Sequence, residues 1–149
     1  MQGSVCLRVL TKKDVKAIYT LGLQSFRGEF WYTRKYLVET LLPPCYACGA
    51  FVGENLVGAI MVRPLDRPKF WIFFLAVDKT FRRHHIGDML LRKSESKCTK
   101  DFPILFVDVG AEDLAAIKFY EKEGFKRLAK VKDWFGIGTT GYIYSKRVV

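Results

Sequence analysis

The chain has 149 residues, half of them hydrophobic, with three Trp, seven Tyr and twelve Phe. This length and composition predict a single folded domain, 1–149, and exclude a disordered chain. The formal charge of +10 predicts anionic partners such as phosphates, nucleic acid or acidic protein surfaces. No apolar run reaches the roughly 18 residues that a membrane span needs, and residues 1–10 lack the zones of a signal peptide. We therefore expect a cytoplasmic protein that does not enter the membrane.

Start and stop signals divide the chain into strands and helices. Thr11 followed by Asp14 resembles a capping box at a helix start, and the run at 70–77 is continuously apolar, as in a central buried strand. Asp113 is a plausible N-cap for a helix that Gly124 ends. The predicted elements are a strand at 5–10, helices at 11–23 and 33–42, strands at 47–52, 56–62 and 70–77, a helix at 86–100, a strand at 104–109, a helix at 114–123, and strands at 125–132 and 142–149.

This order, β-α-α-β-β-β-α-β-α-β-β, predicts an α/β domain. The residues between the predicted elements include an aromatic-rich break at 26–32 and a Gly-rich loop before the last strand. There is no internal repeat and no linker composition, which agrees with one domain.

Four cysteines are present. Cys45 and Cys48 form a lone C-x-x-C, whereas a zinc site needs a second pair of similar spacing, which Cys6 and Cys98 do not supply. The pair leads into an apolar strand instead of opening a helix, as a thioredoxin-like motif does. We expect reduced core thiols and no metal site, with a strained local disulfide between Cys45 and Cys48 as the alternative.

The segment 75–87 has the composition of a phosphate site. An apolar strand ends, a short basic loop follows and a helix begins, so unpaired backbone N–H groups and a partial positive charge face the loop. Arg82 and Arg83 add bidentate donors, and Gly87 lets the backbone approach a ligand closely. The alternative is a solvated basic loop before an ordinary helix.

Two motifs in this order resemble the GNAT superfamily of N-acetyltransferases. The letters R-R-H-H-I-G at 82–87 are similar to the family's acetyl-CoA motif, Gln/Arg-x-x-Gly-x-Gly/Ala, with His85 in place of the first glycine. A histidine tolerates unusual backbone angles better than most side chains. Residues 107–125 resemble the signature L-E-V-R-x-x-N-x-x-A-I-x-x-Y-E-K-x-G-F, in the form typical of N-terminal acetyltransferases of the ribosomal-protein alanine type.

The resemblance implies a fold and a cofactor. The fold is a single GNAT-type α/β domain with a mixed, mostly antiparallel sheet of about seven strands and about four helices. The cofactor is acetyl-CoA, the acyl donor, whose pyrophosphate the loop amides hold and whose pantetheine arm pairs with the preceding strand. The residues implied to contact it are Leu75, Ala76, Val77, Arg82, Arg83, His84, His85, Ile86, Gly87, Asp113 and Tyr120.

The resemblance also implies the catalytic pair, Asp108 as general base and Tyr120 as general acid. This chain departs from the family at three positions, with Asp108 for glutamate, Gly110 for arginine and Asp113 for asparagine. Neutralising an α-amine at pH 7 costs roughly 1 kcal/mol and neutralising lysine roughly 4.6 kcal/mol, which favours an α-amine acceptor. A phenol is a suitable donor to the CoA thiolate. Without the motifs, Tyr120 is an ordinary core tyrosine and Asp108 a carboxylate paired with a nearby cation.

The residues predicted to bind the acceptor amine lie outside the two motifs, and most of them are aromatic. The family shapes its acceptor pocket from the first helices and the loop between the last two strands. There, Glu29 is predicted to bind the acceptor's ammonium and the aromatic residues to form a groove, or else only to pack. The predicted groove residues are Trp31, Tyr32, Trp134 and Tyr142.

We therefore expect direct acetyl transfer in a ternary complex to a protein α-amine first and a lysine second, the acceptor being acidic or nucleic-acid-associated. The alternatives are a small-molecule amine acetyltransferase, a lysine acetyltransferase of a DNA-associated protein, a catalytically weak acyl-CoA sensor and a basic nucleic-acid-binding module. A nucleic-acid module is expected to bind in a strongly salt-dependent manner without CoA.

Overall fold

The computed structural model describes residues 4–26 and 33–149. Within these ranges it has seven strands and four helices, in the order and the fold class that the sequence predicts. The strands are β1 Val5–Val9, β2 Tyr46–Val52, β3 Asn55–Pro64, β4 Lys69–Val77, β5 Ile104–Gly110, β6 Lys126–Val131 and β7 Gly141–Arg147. The helices are α1 Val15–Phe26, α2 Arg34–Glu39, α3 Ile86–Glu95 and α4 Leu114–Lys122.

The strands form one mixed sheet in the order β1-β2-β3-β4-β5-β7-β6. The β4–β5 pair is parallel, with Lys69 opposite Ile104. The β1–β2, β2–β3, β5–β7 and β6–β7 pairs are antiparallel. The sheet is therefore mixed and mostly antiparallel, as expected.

The chain divides into two compact units. The first comprises Met1–Arg63 and Phe74–Lys97. It holds the β1–β2–β3 meander, and its core includes the fully buried Ile18, Leu37, Ile60 and Leu90. A 3₁₀ turn, Lys12–Asp14, precedes α1, and the Asp14 carboxylate accepts from the Thr11 backbone N–H at 2.8 Å, as the capping signal predicts. The α-helix itself spans Val15–Phe26 instead of the predicted 11–23.

The second unit comprises Pro64–Phe73 and Cys98–Val149. Along β5, Leu105, Val107 and Val109 are buried while the residues between them are half-exposed. The strand thus has one core face, and its other face, which carries Asp108, is half-exposed. Tyr144 on β7 lies opposite Val107 and is fully buried.

Two helices are shorter than predicted. In α3 the Ser94 hydroxyl donates to the Leu91 carbonyl and the Ser96 hydroxyl to the Lys93 carbonyl, and the helix ends at Glu95. The Thr40 hydroxyl donates to two carbonyls of α2, which ends at Glu39. Serine and threonine bond to nearby backbone and so compete with helix propagation, which the apolar pattern alone does not register.

All four cysteines are free thiols, Cys6 exposed and Cys48 buried. Burial raises the pKa of the Cys45 and Cys48 thiols. Both therefore stay in the inert thiol form at neutral pH. None of the helices in the described parts of the chain is long and apolar enough to cross a membrane.

Candidate functional site

The predicted phosphate segment lies in the first unit, at the end of β4. Leu75 and Val77 are half-buried and Ala76 is buried, and a short 3₁₀ turn, Lys79–Phe81, follows. The Asp78 carboxylate caps this turn by accepting from the Thr80 N–H at 2.9 Å. The Arg82 Nε donates to the Val77 carbonyl at 3.4 Å, which ties the basic loop to the strand end.

The loop enters α3 through left-handed backbone at two positions. Arg83 has φ 68° and His85, the N-cap residue of α3, has φ 61° and ψ 21°. His85 thus adopts the conformation that glycine takes most readily, at the place where the resembling motif has glycine. Its side chain makes no capping bond to the helix, so the first N–H groups of α3 are left for an anion.

The charges around this helix start favour an anion. Arg82, Arg83, His84 and His85 are all exposed, and the positive charge of the two arginines adds to that of the helix N-terminus. His85 Nδ1 lies 3.1 Å from Asp88 Oδ2, so the one carboxylate in the first turn is engaged by the ring. Ile86 is buried beneath the loop and Gly87 is half-buried. The donor set fits the pyrophosphate of a CoA thioester.

Gly58 on β3 positions α3, and sequence reasoning missed it. A Cβ at residue 58 would lie 2.9 Å from Ile86 Cγ2 and 3.2 Å from Leu90 Cδ1. Only glycine lets the helix start lie this close to the strand. A glycine inside a predicted strand is the signal that marks such an approach.

Asp108 lies in the second unit, on the half-exposed face of β5. Its Oδ1 accepts from the Trp71 indole N–H at 3.0 Å and its Oδ2 from the Trp134 indole N–H at 2.8 Å. No Lys or Arg of the described residues pairs with it. The alternative prediction, a strand carboxylate paired with a nearby cation, is therefore not met in this part of the chain. Trp71 was not among the predicted site residues. Its position could have been inferred from the sequence, because an indole N–H inside an apolar strand needs a hydrogen-bond acceptor nearby.

Trp134 belongs to the loop 132–140 between β6 and β7. The loop is braced internally, since the Asp133 carboxylate accepts from the Gly138 N–H at 2.7 Å and the Gly136 carbonyl accepts from the Thr139 hydroxyl at 2.8 Å. Trp134 is 48% exposed and Ile137, at the loop tip, is 99% exposed. The loop therefore presents apolar surface to solvent beside Asp108.

Tyr120 lies on α4 and is 5% exposed. Its ring packs edge-on against Phe119 and Phe125, at centroid distances of 5.1 and 5.2 Å. Burial, together with the negative charges of Asp108 and Asp113, raises the pKa of Tyr120 above its ordinary value. The phenol therefore stays protonated at neutral pH and is able to donate a hydrogen bond.

Asp113 caps α4 as predicted, since its carboxylate accepts from the Ala116 N–H at 3.1 Å. Its contact with acetyl-CoA stays a prediction. Because one oxygen is committed to the helix start, the side chain acts first as a structural cap.

The structure does not bring Tyr142 together with Trp134. Tyr142 lies opposite Val109, whereas Asp108 lies opposite Ile143, so the tyrosine points to the other face of the sheet. There the Arg127 guanidinium stacks 3.7 Å from the Tyr142 ring centre. The predicted acceptor residues Glu29, Trp31 and Tyr32 lie outside the described residues. Within 4–26 and 33–149, no group of three or more His, Cys, Asp or Glu is arranged to hold a metal.

Comparison with known proteins identifies relatives over most of the chain. Residues 14–125 match the Acetyltransferase (GNAT) family. N-alpha-acetyltransferase 30 of Homo sapiens is 33% identical over 131 residues, which cover 81% of this chain and 31% of that protein. N-alpha-acetyltransferase 50 of Danio rerio is 26% identical over 140 residues, covering 91% of this chain and 82% of that protein. The chain thus spans about a third of the length of N-alpha-acetyltransferase 30.

Solved structures share the fold over nearly the whole chain. Ard1 from Thermoplasma volcanium has a TM-score of 0.87 at 24% identity, covering 97% of this chain and 98% of that one. The ribosomal-protein-S18-alanine N-acetyltransferase from Escherichia coli has a TM-score of 0.84 at 18% identity, covering 97% and 94%. At these identities the likeness establishes the fold.

Proposed function

This chain belongs to the acetyltransferase (GNAT) family, and we propose that its residues 1–149 form one domain that transfers an acetyl group from acetyl-CoA to a primary amine. The observation that carries the proposal is the match of the family over residues 14–125, which include both the basic loop at 82–87 and the Asp108–Tyr120 pair. The transfer is direct, within a ternary complex, and needs no acyl-enzyme cysteine. The buried Cys48 thiol, with its raised pKa, is no candidate nucleophile.

Acetyl-CoA is held by the loop and the end of β4. The two left-handed residues, Arg83 and His85, turn the chain into α3, whose N–H groups receive the pyrophosphate. Arg82 and Arg83 add charge, and Val77 ends the strand along which the pantetheine arm runs. The bound molecule supplies a thioester, whose carbonyl carbon is the electrophile.

Asp108 serves the amine. An ammonium bound at the carboxylate loses its proton to Asp108, directly or through water, and the neutral nitrogen attacks the thioester carbon. The C–N bond forms as the C–S bond breaks. The Trp71 indole N–H, which donates to Oδ1, holds the carboxylate in one orientation, and this reduces the entropy lost when the acceptor binds.

Tyr120 serves the leaving group. Because its raised pKa keeps it protonated, it donates a hydrogen bond to the departing thiolate. As the C–S bond breaks, the second proton of the attacking nitrogen passes through the Tyr120 hydroxyl to the sulfur, so the products are the amide and the CoA thiol and the phenol is protonated again. The edge-on contacts with Phe119 and Phe125 keep the ring in place.

A protein α-amine is the preferred acceptor and a lysine the second. Two supports favour the α-amine: its lower pKa, and the names of the relatives compared above, which are N-alpha-acetyltransferases. The charge of +10 favours an acidic or nucleic-acid-associated acceptor in the cytoplasm.

The experiment incubates the purified chain with acetyl-CoA and a library of peptides carrying free α-amines or lysines. Mass spectrometry then shows which amines gain an acetyl group. Transfer to α-amines supports the proposal, and transfer to lysine alone moves the acceptor to the second choice. Tight CoA binding without any transfer replaces the enzyme by a sensor, and salt-sensitive nucleic-acid binding without CoA binding replaces it by a nucleic-acid module.

A further inference from the structure

Among the described residues, the hydrogen-bond donors to Asp108 are neutral indole N–H groups. Each of its oxygens accepts one indole N–H, and no described cation forms an ion pair with it. An ammonium donates a stronger bond to a carboxylate than a neutral N–H does, because its charge adds to the attraction. An amine at this carboxylate therefore competes with the indoles on favourable terms.

The two indoles differ in how firmly they are held. Trp71 is part of β4, paired in register with Phe106 of β5, and is half-buried. Trp134 is in a loop and nearly half of its surface is exposed. Displacing the Trp71 side chain disturbs the strand pairing of β4 with β5, whereas displacing Trp134 requires a shift of the loop 132–140 alone. Of the two N–H groups, the one on Trp134 is released at the smaller cost.

We propose that the Trp134 N–H occupies the place on Asp108 Oδ2 that the acceptor's ammonium takes, so that Trp134 is a positioning residue that sets acceptor affinity. Trp71 keeps Oδ1 throughout and orients the carboxylate. The loop 132–140 yields Oδ2 when the amine arrives and closes on it again after acetylation, because the amide product carries no ammonium. This inference rests on the proposed acetyl transfer.

Steady-state kinetics of Trp134→Phe and Trp71→Phe test the inference. Phenylalanine keeps an aromatic ring at each position and removes only the N–H donor. With the fastest peptide of the library as acceptor, Trp134→Phe is expected to lower the acceptor KM about tenfold, because the competing bond is gone, and to leave the acetyl-CoA KM unchanged. Trp71→Phe is expected to lower kcat without lowering that KM. An unchanged or raised acceptor KM in Trp134→Phe overturns the inference.

Tryptophan fluorescence supplies a second readout that a purely structural role of Trp134 does not move. The free-amine peptide is expected to shift wild-type emission to longer wavelength as the indole leaves Asp108, and the same peptide with an acetylated α-amine is not. Trp134→Phe is expected to lack the shift. Equal spectra with both peptides, in a wild-type chain that acetylates the peptide, contradict the inference alone. A wild-type chain that acetylates no amine removes the proposed function and this inference with it.

Discussion

Trp134 lies directly over Gly141, the first residue of β7. A Cβ atom at residue 141 would come within 2.7 Å of Trp134 Cδ1 and 2.8 Å of Trp134 Cβ. Contacts this short do not occur in folded proteins, so the glycine is the reason that the indole reaches Asp108. The absence of a side chain at the first residue of β7 thus allows the contact that orients the proposed base.

Gly141→Ala is expected to push Trp134 off β7 and break its bond to Asp108. Because the clash involves the Cβ of Trp134 as well as its ring, the loop backbone must move, at a cost of about 1–2 kcal/mol in the free energy of unfolding. Urea unfolding followed by Trp fluorescence measures both effects. Gly110→Ala is the matched control, since Gly110 pairs with Gly141 and a Cβ there meets nothing within 4 Å. Equal free energies of unfolding for the two variants would contradict this prediction, because they would mean that the loop accommodates the added methyl group without strain.

Tyr120→Phe is expected to lower kcat by about 10²–10⁴, because the donor to the leaving thiolate is lost. Acetyl-CoA affinity and the free energy of unfolding are expected to stay near wild type, since the ring contacts with Phe119 and Phe125 remain. Kinetics and calorimetric titration with CoA measure the two quantities separately.

Tyr144→Phe provides the contrast. Tyr144 is fully buried, donates to Glu121 Oε2 at 2.8 Å and accepts from Arg127 Nη2 at 3.2 Å. Loss of the Tyr144 hydroxyl is expected to lower the free energy of unfolding by about 1 kcal/mol and to change activity little. The cost is small because Glu121 and Arg127 are half-exposed and can form hydrogen bonds with water instead. A large loss of kcat in Tyr144→Phe, or none in Tyr120→Phe, would reverse the assignment of the general acid.

Acid stability is expected to depend on Asp14. Both its oxygens accept from the Arg8 guanidinium at 3.0 Å, and this contact holds the pKa of Asp14 below its ordinary value. A lowered native pKa stabilises the fold above the unfolded pKa of about 4, and that contribution is lost as the pH falls through the native pKa. Asp14→Asn is expected to cost about 1–3 kcal/mol at pH 7, and progressively less below pH 4.

Urea unfolding between pH 7 and pH 3 measures this difference. Asp101→Asn is the matched control, because the Arg67–Asp101 pair spans 3.0 Å but both side chains are 68% exposed. Exposed pairs contribute roughly 0–1 kcal/mol, so this variant is expected to follow the wild-type curve. A pH-independent gap between Asp14→Asn and wild type would assign the stability to shape rather than charge.

Much of the architecture follows from local signals. The order of elements, the Asp14 and Asp113 capping residues and the basic loop before α3 all depend on residues near one another in sequence, and the structure has them as predicted. The helix ends at Glu39 and Glu95 differ because serine and threonine hydroxyls compete locally for backbone carbonyls.

The surroundings of Asp108 were not predictable in the same way. Trp71 and Trp134 are 63 positions apart in the numbering, and both reach Asp108 only because β4 and β5 pair in one register and Gly141 leaves room for a ring. Tyr142 is the converse case, because strand alternation sends it to the opposite face from Asp108. Register and close packing are tertiary properties that composition and spacing do not encode.

The left-handed conformation of His85 predicts how the loop tolerates substitution. Because φ is 61° there, His85→Gly is expected to keep the turn and the acetyl-CoA affinity, although the contact with Asp88 is lost. His85→Val is expected to weaken acetyl-CoA binding by about tenfold or more, since a β-branched residue in this region costs about 1–3 kcal/mol. His85→Gly is the matched control for the valine variant, because both remove the imidazole and only valine is strained at a positive φ. Calorimetric titration with acetyl-CoA gives the affinities, and equal losses in His85→Gly and His85→Val would trace the effect to the lost imidazole instead of backbone shape.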